Sequence, residues 1–364
     1  MLLPENKIIP GVRKIAVLRA NGLGDFIFAL PALEALRAAY PQAEIVLLAK
    51  AWHAAFLKER PGPVDRVIVI PPYRGVSVDD PNDSNIVEDP AEQKLFFACM
   101  HHEHFDLAIQ IHGGGRHSNP FLLRLGAQMT IGLKTPDAAP PDRWVPYVYF
   151  QPEIVRYLEV VSLVGATVVT LEPHIAIVEN DLAEAQRIVP DKGKSLVALH
   201  PGASDIGRRW PEKKFAAVGD ALAAAGTQIV ITGTQAENHL VETVIGSMKA
   251  EAQSLCGRLS LGGLVGLLSR CKVLISNDSG PLHLAAAVNT STVGIYWCVN
   301  MITAALLTRI QHRPIVSWRL ECPVCGSNQI FEPCRHRASY VADVPTEEVV
   351  GAAVDLLSAA NASS

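Results

Sequence analysis

The sequence predicts an α/β protein of two domains, each a parallel β-sheet with helices on both faces. A length of 364 residues exceeds what one hydrophobic core usually supports. Short β-rich apolar runs alternate with helical stretches, which is typical of parallel sheets, and the alternation restarts near Ser195. We expect domains at 1–175 and 190–345. The last stretch, 346–364, is expected to form a helix able to pack back on the N-terminal domain.

Four apolar runs predict the strands of the first domain: Ile15–Ala20, Glu44–Ala49, Arg66–Ile70 and Leu107–Ile111. Apolar residues at helical spacing follow the first run, and Pro41 ends that helix. The acidic, turn-rich stretch 73–92 and the proline-rich stretch 136–152 predict irregular loops.

The second domain repeats this pattern. Its predicted strands are Leu196–His200, Gln228–Thr232, Val273–Ser276 and Thr292–Tyr296. Its predicted helices are Pro211–Ala225, Glu237–Met248, Leu261–Arg270, Pro281–Ala287 and Thr346–Ala359. Parallel sheets bind ligands at the carboxyl ends of their strands, and two such domains that face each other form a cleft.

The composition excludes several classes of protein. A net charge of −4 provides no positive field for general nucleic-acid binding, so no nucleic-acid partner is expected. No apolar run reaches the roughly 18 residues that a transmembrane helix needs. The first residues also lack the apolar core of a signal peptide. We therefore expect a cytoplasmic protein without a transmembrane segment, able to act at a membrane surface.

A glycine turn, Asn21 to Asp25, follows the first strand and opens a helix. Glycines let a ligand approach the backbone, and a helix start favours negative charge. The turn lacks the third glycine of a dinucleotide fingerprint, because Ile27 stands there, and it lacks the Gly-Lys-Ser/Thr of a phosphate-binding P-loop. Asp25 has two interpretations, a helix-capping carboxylate or a functional acid.

Two further strand ends carry polar motifs. In the segment 200–215, Arg208 and Arg209 could clamp a pyrophosphate, or they could be solvated surface residues beside a packed Trp210. In the segment 276–287, an Asp-Ser-Gly turn enters a helix whose first N–H groups could hold an anion. The alternative there is an ordinary helix cap.

Two other features leave their interpretation open. Glu237 could accept hydrogen bonds from a ribose diol, or it could be a first-turn acid that offsets a helix dipole. Four soft ligands stand near the C-terminus, in a spacing that matches no common zinc finger: Cys322, Cys325, Cys334 and His336. They predict either a structural zinc site or unligated thiols.

Four segments, in this order, resemble the ADP-heptose:lipopolysaccharide heptosyltransferase family, also called glycosyltransferase family 9. They read NGLGDFIFALPALEALRAAYPQAEI, FDLAIQIHGGGRHSN, HPGASDIGRRWPEKKF and NDSGPLHLAAA. The resemblance implies the GT-B fold, with two facing Rossmann-like domains, parallel sheets and an interdomain cleft. It places the acceptor on the N-terminal domain and the nucleotide on the C-terminal one. It also implies inverting transfer without a catalytic metal or other cofactor.

The resemblance also implies roles for individual residues. Asp25 matches the general base that takes the proton of the acceptor hydroxyl. Arg208 stands where the family usually has a lysine that binds the donor phosphates. The remaining matches are Ser204, Ser279 and Gly280 for the phosphates, Asp278 and His283 for the sugar, Glu237 for the ribose, Leu259 for the base, and Gly24, His112, Arg116 and Asn119 for the acceptor.

The predicted function is therefore transfer of a sugar, heptose from ADP-heptose, onto a lipopolysaccharide core or a related glycolipid at the inner membrane surface. A nucleotide-sugar epimerase of the same architecture and a non-catalytic nucleotide-binding homologue are the alternatives. The acidic loop 75–92 and the cysteine-rich segment 322–336 depart from the family pattern.

Overall fold

The computed structural model describes residues 7–78, 87–332 and 334–362. The chain divides into a first unit, Met1–Ala176, and a second unit, Ile177–Ser364. The division falls within the stretch where the sequence predicted the two domains to join.

The first unit contains a six-stranded sheet in the order β3-β2-β1-β4-β5-β6, with every pair of neighbours parallel. Its strands are β1 Lys14–Leu18, β2 Glu44–Ala49, β3 Arg66–Val69, β4 Leu107–Gln110, β5 Met129–Lys134 and β6 Arg143–Pro146. Its helices are α1 Leu23–Ala39, α2 Ala51–Leu57, α3 Pro90–Glu103, α4 Ser118–Leu123 and α5 Glu153–Ser162.

The second unit contains a parallel six-stranded sheet in the order β12-β11-β10-β7-β8-β9. Its strands are β7 Leu196–His200, β8 Gln228–Ile231, β9 Ala252–Ser254, β10 Cys271–Asn277, β11 Ser291–Trp297 and β12 His312–Ser317. Its helices are α6 Glu179–Ile188, α7 Glu212–Ala224, α8 Asn238–Ser247, α9 Leu261–Arg270, α10 Gly280–Ala287, α11 Cys298–Ala304 and α12 Thr346–Ala362. Short 3-10 turns lie at Ile206–Arg208 and Gln235–Glu237.

Both sheets have the same topology. Numbered within each unit, the strand order is 3-2-1-4-5-6, the order of the Rossmann fold. The central strands are continuous apolar runs because helices cover both faces of a parallel sheet. In such a sheet the order reverses between strands 1 and 4, here β1/β4 and β7/β10, and ligands bind beyond the carboxyl ends of those strands. We call these two places the switch points.

The C-terminal helix α12 contributes to the core of the second unit. Val349, Ala353 and Leu356 are buried and pack in the same cluster as Trp210 and Phe215. Their spacing of four and three residues makes one apolar stripe, which meets α7 and the sheet. The helix is therefore part of the second unit, and its packing against the N-terminal domain stays a prediction.

Three of the four strands that the sequence pattern missed, β6, β9 and β12, lie at sheet edges, and the fourth, β5, lies beside β6. The proline-rich stretch predicted as a loop contains β6, whose residues are only half-buried or exposed. The edge strands β9 and β12 are likewise largely half-buried. Such strands lack the continuous apolar run that identified the central strands.

The acidic loop is shorter than predicted, because Pro90 begins α3 and the Asp89 carboxylate caps it by accepting from the Ala91 N–H at 2.8 Å. Residues 79–86 of that loop lie outside the described residues. Across the described ranges, no helix combines the length and apolarity needed to cross a bilayer.

Candidate active site

Arg19 connects three segments at the switch point of the first unit. It follows β1 directly, and only 2% of its surface is exposed. Its guanidinium donates to the Asp25 carboxylate at 2.7 Å and to the Ile111 carbonyl, just beyond β4, at 2.7 Å. Its Nε also donates to the Asp25 carbonyl at 3.1 Å. Arg19 therefore holds the start of α1 against the end of β4.

Asp25 lies on the first turn of α1, and its two carboxylate oxygens have different partners. Its Oδ2 accepts a hydrogen bond from the Gly22 N–H at 3.2 Å, which completes a capping arrangement. Its side chain is nevertheless 44% exposed, although Arg19 holds the other oxygen. The two interpretations of Asp25 are thus compatible, because the cap orients a carboxylate that solvent and ligands can reach.

Glu153 and Arg156, at the start of α5, complete this cluster and were missed from the sequence. One Glu153 oxygen lies 3.6 Å from the Arg19 guanidinium, and the other accepts from Arg156. Burial raises the pKa of Glu153, while the charges of Arg19 and Arg156 oppose that rise. The sequence signal for this pair was a Glu and an Arg three residues apart, the spacing of a salt bridge on a helix. It was missed because the preceding stretch was predicted to be a loop and no helix was predicted after it.

The predicted acceptor-side residues separate into two groups. Gly24 lies on the first turn of α1, and His112 lies just beyond β4, where its Nδ1 accepts from the Ala20 N–H at 3.3 Å. Arg116 is largely exposed and lies 3.9 Å from the Asp137 carboxylate. These three remain predicted acceptor contacts.

Asn119 belongs to the core of the first unit. It has no exposed surface, its Nδ2 donates to the Leu133 and Ala139 carbonyls at 3.0 and 2.8 Å, and its Oδ1 accepts from Gln110. Both of its N–H donors are therefore used by the protein. We assign Asn119 a structural role in place of the predicted acceptor contact.

Two buried histidines make the first unit sensitive to acid. Burial lowers the pKa values of His53 and His112 to about 3, against an ordinary value of 6.5. Below pH 6.5 the unfolded chain therefore binds protons that the folded chain does not, and stability falls as the pH falls towards 3. The free energy of unfolding should drop by up to about 1.4 kcal/mol per pH unit for each histidine.

The acid response can be measured by denaturant unfolding at several pH values. Within the described residues the ring nitrogens of His53 make no hydrogen bond, and the ring packs against Phe26 and Trp52. We expect His53→Phe to reduce the pH slope between pH 6.5 and 4, and His102→Phe, at an exposed position, to leave it unchanged. Equal slopes in both variants would contradict this assignment.

Four predicted donor residues form one cluster at the switch point of the second unit. Asp278 follows β10 and is 2% exposed. Its two oxygens contact the Arg208 guanidinium at 3.0 Å and the His283 Nε2 at 3.1 Å. Arg208 also donates to the Ser204 hydroxyl at 2.9 Å. The structure therefore brings together residues from the loop after β7, the end of β10 and the first turn of α10.

Asn277 and Trp210 fix the loop that carries Arg208. The Asn277 side chain accepts from the Trp210 N–H at 3.0 Å and donates to the Pro201 carbonyl at 2.7 Å. Trp210 is fully buried, and its indole N–H donates to the Val344 carbonyl at 3.1 Å. Trp210 is thus the core residue that one interpretation expected, but Arg208 is not a solvated surface residue. Asn277 was missed as a supporting residue.

The start of α10 provides the positive end of a helix beside Asp278. Ser279 is the N-cap residue, and its hydroxyl lies 3.1 Å from that of Ser276. The first N–H groups of a helix have no partner within the helix and favour anions. Arg208 and the helix start are therefore both adjacent to Asp278, and both are hydrogen-bond donors of the kind that bind phosphate groups.

The predicted ribose and base contacts lie at the neighbouring strand ends. Glu237 caps the turn after β8, where its Oε2 accepts from the Thr234 N–H at 2.8 Å. Its Oε1 faces Gly202, where any Cβ would collide with it, so the loop after β7 approaches it closely. Leu259 is half-buried in the turn before Ser260, the N-cap residue of α9. Capping is therefore observed for Glu237, and its ribose contact stays a prediction.

The family follows from a comparison with known sequences. The profile of glycosyltransferase family 9 (heptosyltransferase) matches residues 96–329, more than half of the chain. The chain belongs to glycosyltransferase family 9. This confirms the resemblance on which the expected fold and site residues rest.

Individual members of family 9 are similar along most of their length. Lipopolysaccharide heptosyltransferase 2 of Escherichia coli K12 is 24% identical over 294 residues, which cover 78% of this chain and 82% of that protein. The family 9 glycosyltransferase structure from Veillonella parvula superposes with a TM-score of 0.78 at 21% identity, covering 97% of this chain and 99% of that one. The E. coli ADP-heptose heptosyltransferase II structure gives a TM-score of 0.73 at 19% identity, with 96% and 99% covered. The predicted α/β fold of the GT-B type is confirmed.

Proposed function

We propose that this family 9 glycosyltransferase transfers heptose from ADP-heptose to a lipopolysaccharide core or a related glycolipid, with inversion at the anomeric carbon. The observation that carries the proposal is the joined Arg208–Asp278–His283 cluster beside the start of α10. It supplies a cation and helix N–H groups for a diphosphate, next to a buried acid and imidazole for a sugar. The named donor of the E. coli heptosyltransferase II structure supports the choice of ADP-heptose.

In the proposed reaction Asp25 is the general base. Its carboxylate accepts the proton of an acceptor hydroxyl while that oxygen attacks the anomeric carbon of the sugar. The bond between the anomeric carbon and the diphosphate oxygen breaks, and ADP leaves with the bonding electron pair. Arg208 and the N–H groups at Ser279 and Gly280 offset the charge that develops on the leaving diphosphate. Arg19 keeps the Asp25 carboxylate in place.

The proposed partners follow from this reaction. The acceptor is a glycolipid, so we place the enzyme in the cytoplasm and at the inner membrane surface when it acts. The Arg208 guanidinium and the N–H groups of Ser279 and Gly280 take the charge-stabilising role that a metal ion has in other transferases, so no cofactor is proposed for the chemistry. An epimerase would consume the donor without an acceptor, and a binding module would retain ADP affinity without turnover.

A thermal-shift comparison of nucleoside diphosphates tests the donor assignment. We expect ADP to stabilise the protein more than UDP, GDP, CDP or dTDP at the same concentration. At about a hundred times its dissociation constant, ADP should add roughly 2.7 kcal/mol to the free energy of unfolding. A larger shift with UDP or GDP would contradict ADP-heptose as donor and leave the family assignment intact.

A further inference from the structure

A compact group of metal-binding side chains lies in the segment between β12 and α12. The ligand atoms of Cys322, Cys325, Cys334 and His336 all lie within 4.8 Å of one another. None of the four residues belongs to the Arg208–Asp278–His283 cluster. The proposed reaction gives this group no role.

The ligand set fits a tetrahedral zinc ion. Zinc–sulfur bonds of about 2.3 Å and zinc–nitrogen bonds of about 2.0 Å place neighbouring ligand atoms roughly 3.5–3.8 Å apart. The observed group needs only a contraction of about an ångström at its widest pair to reach this geometry. Three thiolates and one imidazole fill all four positions, and a closed set of this kind is typical of structural rather than catalytic zinc.

The turn that carries the first two cysteines is already shaped for a metal. An antiparallel bridge joins Glu321 to Asn328, and within it the Cys322 N–H donates to the Ser327 carbonyl at 2.9 Å. Gly326 adopts a φ of +73°, which favours glycine. The Val324 N–H points at the Cys322 sulfur at 3.5 Å. Such outer hydrogen bonds orient metal ligands and offset the charge of a thiolate.

The second half of the group is held by a side chain. The Gln329 amide N–H donates to the Cys334 sulfur at 3.4 Å, and Gln329 is only 7% exposed. This buried amide is a second N–H donor directed at a sulfur atom of the group, in addition to the Val324 N–H. Both halves therefore place N–H donors against sulfur atoms.

The segment that follows the cysteine and histidine group is hydrogen-bonded to the loop that carries Arg208. The Tyr340 N–H donates to the Gly207 carbonyl at 2.6 Å, and the Ser339 hydroxyl donates to the Arg209 carbonyl at 2.6 Å. These contacts lie on either side of Arg208 in sequence. An ion that fixes the segment 322–336 would therefore also limit the movement of the Arg208 loop.

We propose that Cys322, Cys325, Cys334 and His336 bind one structural zinc ion, which fixes the segment 322–336 and thereby supports the Arg208 loop. The segment has little regular secondary structure, so a metal would supply the order that a sheet or helix supplies elsewhere.

Metal analysis of the purified full chain tests the site. We expect about one zinc per chain from zinc-supplemented medium, and less than about a tenth of that in Cys325→Ser. Cys99→Ser, which removes an exposed cysteine on α3, should retain full zinc content. His336→Cys should also retain zinc because it keeps four soft ligands. Zinc-free wild-type protein, stoichiometric iron, or unchanged zinc in Cys325→Ser would overturn the proposal.

A measurement on the wild-type chain keeps the test independent of folding defects. We expect Cys322, Cys325 and Cys334 to be protected from alkylation until a strong chelator is added, while Cys99 reacts at the same rate in both conditions. The dissociation constant for ADP should rise several-fold as zinc is withdrawn. Unprotected cysteines would overturn the site, and an unchanged ADP affinity would overturn its support of the Arg208 loop. The alkylation readout is independent of the proposed function, whereas the ADP readout rests on the proposed donor site, whose failure the thermal-shift comparison would show separately.

Discussion

Asp25→Asn should lower the transfer rate by about a hundredfold or more, the usual size of a general-base contribution. An amide oxygen can still accept from the Gly22 N–H, so most of the capping remains, but the amide cannot take the acceptor proton. The melting temperature should fall modestly, because the amide has one acceptor oxygen and cannot serve both the Gly22 N–H and the Arg19 guanidinium. ADP affinity should change little, because the proposed nucleotide contacts are in the second unit.

Asp65→Asn is the matched control for this prediction. The Asp65 side chain is 47% exposed, pairs with Arg37 and accepts from the Ile45 N–H at 2.7 Å, so its surroundings resemble those of Asp25. It lies before β3, outside the switch point, and its variant should keep the wild-type rate. Near-normal turnover in Asp25→Asn would show that Asp25 only caps α1.

Arg208→Ala should weaken ADP binding by about 10- to 150-fold. The variant loses a charge-assisted contact to the diphosphate, which is worth roughly 1.5–3 kcal/mol. It also leaves the buried Asp278 carboxylate with His283 as its remaining partner in the cluster. Arg208→Lys keeps the positive charge, so it should recover most of the affinity.

Arg313→Ala controls for the general loss of an arginine from the second unit. Arg313 pairs with Asp355 at 2.8 Å, as Arg208 pairs with Asp278, but it lies on β12 and outside the donor cluster. Calorimetric titration with ADP should give this variant the wild-type dissociation constant. An unchanged constant for Arg208→Ala as well would remove Arg208 from the donor site.

Strand and motif order made the central part of the fold predictable from the sequence. Each central strand is a continuous apolar run, and each polar motif directly follows such a run. Because parallel strands end at one edge, the motifs after β7 and β10 had to meet, and Arg208 does contact Asp278. The sequence spacing of Cys322, Cys325, Cys334 and His336 indicated a possible set of metal ligands. Only the fold shows that the four side chains lie close together.

The residues that the sequence did not reveal act through long-range contacts. Arg19 appeared as one charge at the end of a strand, and its partner Glu153 stands 134 residues later, beyond a stretch predicted as a loop. Asn119 shows the opposite error. It lies in a family-like motif, yet its amide is used by backbone carbonyls from β5 and the following loop. A local sequence pattern indicates secondary structure and motifs. It does not show which distant group forms a hydrogen bond with a given polar side chain.

One reconstitution tests the central claim most directly. Purified protein is incubated with ADP-heptose and a lipopolysaccharide core acceptor that lacks heptose, and the ADP released, the mass of the acceptor and the anomeric configuration of the new bond are measured. We expect one heptose added per ADP released, with inverted configuration and no donor consumption when the acceptor is omitted. Consumption of ADP-heptose without acceptor, or an acceptor of unchanged mass after long incubation, would contradict the account.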